Sequence, residues 1–258
     1  MANEFFSIKN MSNELRIAYV VILLIVVGLV ACCFTGCCKG KGKSGISNEI
    51  SQWIKDNPKE ILESVNNFLK QEQLDAQKKQ QDNAKAAIKE NYTQLIDSKN
   101  TGIYNKNGTK VIVEFFDYNC GYCKLAKKAI DEVIKSNKDV KVIFRDFPIF
   151  GGNSEIAARY AIAVAISEPN KYYDFSSSLF EIGADKESKI KEALKKAGIK
   201  EAIIENTLKD KKEDIDNRLK QNRELANSLG LQGTPAFVIG EELVPGYVDS
   251  TTINNMLK

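Results

Sequence analysis

The sequence predicts an α/β domain interrupted by a long all-helical insertion, preceded by an apolar N-terminal segment and a helical stalk. Three observations carry this. Two apolar runs with strand character, Lys110 to Phe116 (KVIVEFF) and Val140 to Phe144 (VKVIF), flank a helical stretch that opens at Cys120 and Cys123 and runs through Ile134. Only helical signals follow, from Asn153 to Ser228. A strand hairpin then closes the domain, Ala236 to Ile239 and Glu242 to Val244 turning at Gly240-Glu241, before a last helix from Ser250 to Leu257.

The bulk composition narrows the function. The 258 residues hold one full-sized domain and a substantial appendage. A formal charge of +3, with Lys and Arg interspersed among Asp and Glu, gives no one-sided basic field, so no nucleic-acid partner is expected. With no histidine, the chain has no Ser-His-Asp triad, no Cys-His protease pair and no His-liganded zinc. Its chemistry must run on cysteine, carboxylate, lysine or tyrosine. The six cysteines fall in two groups, Cys32, Cys33, Cys37 and Cys38 at the end of an apolar run and Cys120 and Cys123 alone in the body. A secreted disulfide scaffold would spread them through the fold.

Residues 1–16 read as a tail and 17–38 as a membrane anchor or lipoprotein signal. Ile17 to Val30 carries no charge, and the apolar character continues to Phe34. Up to Cys38 the stretch is about long enough to cross a bilayer core, which takes ~20 helical residues. Leu29-Val30-Ala31-Cys32 resembles the bacterial lipobox, which would lipidate Cys32. Lys39, Lys41 and Lys43 follow the run while only Lys9 and Arg16 precede it, a bias towards a cytoplasmic body that opposes the export favoured by the chemistry below. Gly42-Lys43-Ser44 lacks the first glycine of a phosphate loop, since Cys37 stands in its place, and no strand precedes it. Residues 39–46 are therefore read as a flexible linker.

Residues 47–99 are read as a helical stalk with one break at Asn57-Pro58, where proline can open a second helix. Ile46, Ile50, Trp53 and Ile54 share one face, and Ile61, Leu62, Val65, Phe68 and Leu69 the next. Either packing on the main domain or self-association would cover these stripes. Gln71 to Asn91 is polar nearly all round, as in a spacer between bodies. That order suits an oligomerisation stalk ahead of a domain spanning 100–258, with its helical insertion at about 153–228.

A Cys-x-x-Cys pair can be half a zinc site, a structural disulfide or a redox centre. A zinc site needs about four ligands, and the second pair would have to come from Cys32 to Cys38. A structural disulfide closing so small a loop stabilises little. The redox reading fits the position, where a strand ends and a helix begins. Unpaired amides and the helix dipole there favour a thiolate at Cys120, the expected exposed nucleophile, with Cys123 one turn deeper to resolve the mixed disulfide.

Phe115-Phe116-Asp117-Tyr118-Asn119-Cys120-Gly121-Tyr122-Cys123-Lys124 resembles the active-site segment of DsbA-like thioredoxin-fold proteins. Phe144-Arg145-Asp146-Phe147-Pro148 resembles their next strand exit, and Gly233-Thr234-Pro235-Ala236-Phe237 their cis-proline loop. The resemblance covers roughly Gly102 to Lys258 and implies a thioredoxin fold with an inserted helical domain. It further implies a cis Pro235 beside the cysteines, backbone at Thr234 that pairs with substrate, and Glu114 as a buried acid relaying protons for Cys123. Read without the resemblance, Thr234-Pro235 is an ordinary turn and Glu114 a charge on an exposed strand face.

Strongly oxidising members carry CPHC, where this chain has Gly121 and Tyr122, so a less oxidising centre is expected. Thr234 before the proline is similar to disulfide isomerases. With the stalk, the layout resembles oligomeric DsbA-like and ScsC-like isomerases. The resemblance implies a protein disulfide oxidoreductase acting on unfolded or misoxidised exported proteins in the bacterial periplasm, tethered by its N-terminal segment. Isomerisation by a homo-oligomer, such as a trimer, is favoured over monomeric dithiol oxidation. Another class of reading is a surface lipoprotein that binds and keeps a vestigial redox centre. No cofactor or metal is expected beyond the redox-active Cys120–Cys123 pair, which would need a membrane redox partner to keep it reduced, or oxidised.

Overall fold

The computed structural model describes residues 20–24, 26–27, 43–99 and 101–258. They fall into two units, one up to Glu72 and one from Gln73 to Lys258. Among the described residues no helix is long and apolar enough to cross a membrane. Most of the expected span 17–38 lies outside them, with Cys32, Cys33, Cys37 and Cys38, although residues 20–24 and 26–27 are helical.

Two helices lead to the domain, α1 (Lys43–Asp56) and α2 (Pro58–Ile96). Asn57 joins them. Its N–H and its side-chain amide both reach the Trp53 carbonyl, at 2.9 and 2.8 Å, and its carbonyl accepts from the Ile61 N–H at 3.3 Å. Pro58, which has no N–H, sits in a first turn where none is needed. The first helix starts at Lys43 rather than at 47, so the end of the expected linker is helical. The glycine at 45 costs that turn only about 1 kcal/mol. Ile46, Ile50, Trp53, Ile54, Leu62, Val65, Phe68 and Leu69 are all exposed.

The sheet contains β1 (Gly102–Tyr104), β2 (Lys110–Phe116), β3 (Val140–Asp146), β4 (Ala236–Ile239) and β5 (Glu242–Pro245) in the order β1-β3-β2-β4-β5. β2 and β3 are parallel, joined across α3 (Gly121–Ser136), and the other pairs are antiparallel. The insertion holds α4 (Gly152–Ser167), a 3-10 turn (Pro169–Lys171), α5 (Tyr172–Ile182), α6 (Glu187–Lys196), α7 (Glu201–Asp210) and α8 (Lys212–Ser228), and α9 (Ser250–Met256) ends the fold. β1 went unread in the sequence because three residues carry no measurable period. It is defined only by pairing with β3, as Ile103 opposite Ile143.

Both sheet faces are covered, which is why β2 reads from Val111 to Phe116 as an apolar run interrupted at Glu114. Ile112 and Phe116 face a core built with α3, α4, α5 and α6, while Val113 and Phe115 face Ile88 and Leu95 of α2 and Leu225 of α8. The stretch read as a polar spacer is thus continuous helix whose final turns belong to the core, burying Ala84, Ile88 and Leu95 along one face. A thin stripe suffices because the sheet supplies the opposing apolar surface. Ile88→Ala is expected to lower stability by about 2–4 kcal/mol in equilibrium urea unfolding.

Candidate active site

Cys120 occupies the N-cap of α3 with extended backbone, φ −82° and ψ 120°, and Gly121, Tyr122 and Cys123 form the first turn. No side chain caps this end. The helix therefore turns unpaired amides and the positive end of its dipole towards the first cysteine, which favours negative charge there. Both thiols are free. Cys120 was expected to be exposed, yet only 6% of its surface is accessible, against none for Cys123. The order of access matches the expectation, but the cis-proline loop shields the outer sulfur. Tyr122, by contrast, is 65% exposed beside it.

The shielding contact is specific. Cys120 Sγ donates to the Thr234 carbonyl at 3.3 Å, across 114 residues of chain. The Thr234–Pro235 peptide is cis, and the Pro235 carbonyl accepts from the Gly246 N–H at 2.8 Å, which fixes the loop to the end of β5. The structure thus brings Cys120, Gly121, Tyr122, Cys123, Thr234 and Pro235 together at one end of the sheet. An ordinary turn at Thr234-Pro235 is set aside by this geometry.

Glu114 lies on β2 and is 2% exposed, so it is not a charge on an open strand face. Burial pushes its carboxyl up to about 8, partly offset by Lys127 and reinforced by Asp131. Burial also raises the Cys123 thiol well above its ordinary range, with Glu114 and Cys120 adding to the rise. A buried thiol that must ionise to react, near a carboxyl that titrates close to neutrality, is an arrangement suited to proton exchange.

Several residues of the site escaped the sequence reading. Asp117 is buried and organises the loop before the cysteines: its Oδ1 accepts from the Asn119 N–H at 2.8 Å, its Oδ2 from the Phe150 N–H at 3.2 Å, and its carbonyl from the Cys120 N–H at 3.1 Å. Asn119 in turn donates to Ser154 Oγ at 2.9 Å and to the Ala184 carbonyl at 3.2 Å. An Asp two residues before an Asn is a turn signal that could have been read. Gly151 and Gly152, at φ +63° and +44°, allow the chain to turn from Phe150 into α4. Lys127, buried one turn after Cys123, pairs with Asp131 and lies over the Tyr173 ring at 4.4 Å. Tyr173 Oη bonds Asp131 as well.

A dithiol at a helix N-terminus under a cis-proline loop, on a parallel β–α–β unit with a helical insertion, defines a thiol–disulfide oxidoreductase. The chain belongs to the DSBA-like thioredoxin domain family, whose profile matches residues 111–258. It is 27% identical over 158 residues to disulfide bond formation protein D of Bacillus subtilis, covering 57% of this chain and 70% of that protein. Among solved structures it is similar to the thiol-disulfide exchange protein alpha-DsbA2 from Wolbachia pipientis, at 32% identity and TM-score 0.64, over 67% of this chain and 94% of that one. It is also similar to Proteus mirabilis ScsC in a compact conformation, at 28% identity and TM-score 0.56, over 80% of this chain and 99% of that one.

Proposed function

We propose that this chain is a disulfide isomerase of exported proteins, working as a homo-oligomer assembled through its N-terminal helices. The observation that carries the reading is the row of exposed apolar side chains from Ile46 to Leu69, which a lone domain would have no reason to display in water. The similarity to ScsC extends over 80% of the chain, beyond the domain matched by the family profile. Disulfide chemistry belongs in an oxidising compartment, which supports a periplasmic location; tethering there would fall to the apolar stretch within residues 17–38.

In this reading the Cys120 thiolate attacks one sulfur of a wrong substrate disulfide. The old S–S bond breaks, its other sulfur leaves as a thiolate, and a Cys120–substrate disulfide forms. The freed thiolate attacks a second substrate disulfide, and the chain of exchanges ends when a substrate thiolate displaces Cys120, with no net oxidation. If the substrate stalls, Cys123 gives its proton to ionised Glu114 and attacks the Cys120 sulfur. That releases the substrate as a dithiol and leaves the Cys120–Cys123 disulfide, which a membrane reductant must then reduce. In this reading the backbone at Thr234 pairs with an extended substrate beside the cysteines.

A second reading, a monomeric dithiol oxidase, draws on the similarity to a disulfide bond formation protein. Truncation separates the two. Because Ala84, Ile88 and Leu95 are core residues, the cut belongs after Glu72 and not at 99. Fragment 73–258 is expected to sediment as a monomer and to oxidise a dithiol peptide within about twofold of fragment 43–258. Its reactivation of scrambled ribonuclease should fall about tenfold. Equal reactivation by the two fragments, or a monomeric 43–258, would count against the isomerase reading.

A further inference from the structure

The last turn of α2 leaves carbonyls without intrahelical partners. A strand side chain meets them. Arg145 of β3 is fully buried, and its Nη2 lies 2.5, 2.9 and 2.6 Å from the carbonyls of Gln94, Leu95 and Asp97. Its Nη1 donates to Asn222 Oδ1 on α8 at 3.2 Å, and Asn222 Nδ2 returns to the Asp146 carbonyl at 3.1 Å. One turn away on α8, Arg218 bonds Asp97 Oδ2 at 3.0 Å and also the Lys99 carbonyl. The negative end of a helix dipole is a favourable neighbour for a buried guanidinium. The same stretch of β3 runs directly into the redox site. Phe147 N–H donates to the Phe116 carbonyl at 2.8 Å, and Phe150 N–H reaches Asp117.

We infer that Arg145 and Arg218 form a latch that fixes the end of α2 to β3 and α8, and that Arg145 is a positioning residue for exchange on protein substrates. The latch holds the redox centre in a set attitude to the last turns of the arm. The activity consequence rests on the isomerase reading. The latch itself does not.

The test uses the full chain carrying Arg145→Met, Arg145→Lys or Asp97→Ala, and reads hydrogen exchange together with two activities. In Arg145→Met, amides of residues 90–97 should exchange about tenfold faster or more, while those of β2 and β4 stay within about twofold of the parent. Lysine should recover part of that protection. Asp97→Ala, which removes an exposed carboxylate bonded by Arg218 and by the Lys99 N–H, should show a smaller acceleration in the same stretch. Reactivation of scrambled ribonuclease by Arg145→Met should fall about fivefold, and by clearly more than its oxidation of a short dithiol peptide falls. Protection at 90–97 that is unaltered in both Arg145→Met and Asp97→Ala would overturn the latch. So would acceleration spread equally over β2 and β4. A parent chain that reactivates no ribonuclease would sink the isomerase reading and leave the exchange result to stand by itself.

Discussion

Cys120→Ser is expected to abolish thiol–disulfide exchange, lowering the rate of reaction with a disulfide peptide by at least about 10³-fold. The attacking species is a thiolate, and a serine hydroxyl stays protonated and attacks sulfur poorly. Cys123 cannot substitute, because it has no accessible surface and burial holds its thiol protonated. Cys123→Ser should behave differently. The first attack survives, resolution is lost, and a Cys120–substrate disulfide accumulates that intact-mass measurement detects. Residual exchange in Cys120→Ser above a few per cent would mean that the N-terminal cysteines or Cys123 carry chemistry assigned to Cys120.

Glu114→Gln is expected to stabilise the fold at neutral pH, by an amount that disappears in acid. In the unfolded chain the carboxyl ionises around 4.5, whereas in the fold it stays protonated up to about 8. Between those values the unfolded state releases a proton that the folded state keeps, so stability falls as pH rises from 4.5 through 8. At about 1.4 kcal/mol per pH unit, the penalty reaches on the order of 3 kcal/mol at pH 7. Glutamine keeps the shape and removes the titration. Its advantage should be near zero at pH 4.5, about 2–3 kcal/mol at pH 7, and level above 8. The rate at which Cys123 releases a mixed disulfide should also lose its midpoint near pH 8. A stability difference equal at pH 4.5 and 7 would show that Glu114 does not hold its proton in the fold.

Much of the site was legible because its signals are local. The Cys-x-x-Cys spacing at a strand-to-helix junction, the apolar runs of β2 and β3 and the Gly240-Glu241 turn need only neighbouring residues to be read. Pro235 became informative through resemblance, since Thr234-Pro235 alone is a turn and the Thr234 carbonyl that accepts from Cys120 lies 114 residues further along the chain. What was missed depends on distant partners. Arg145 looks like a surface charge until the end of α2 is set against it. Lys127 sits on a helix whose exposure changes residue by residue, and its buried ammonium lies over Tyr173, a residue of the distant insertion. Ile88 and Leu95 are too sparse on a polar helix to announce a core face, and the sheet that completes that face comes later in the chain.

Isomerase activity is tested most directly by reactivation of scrambled ribonuclease with reduced fragment 43–258, followed over time beside its Cys120→Ser variant. Recovery of ribonuclease activity that depends on Cys120 is the expected result. No recovery, with rapid oxidation of reduced ribonuclease by the oxidised fragment, would contradict it and make this chain a dithiol oxidase.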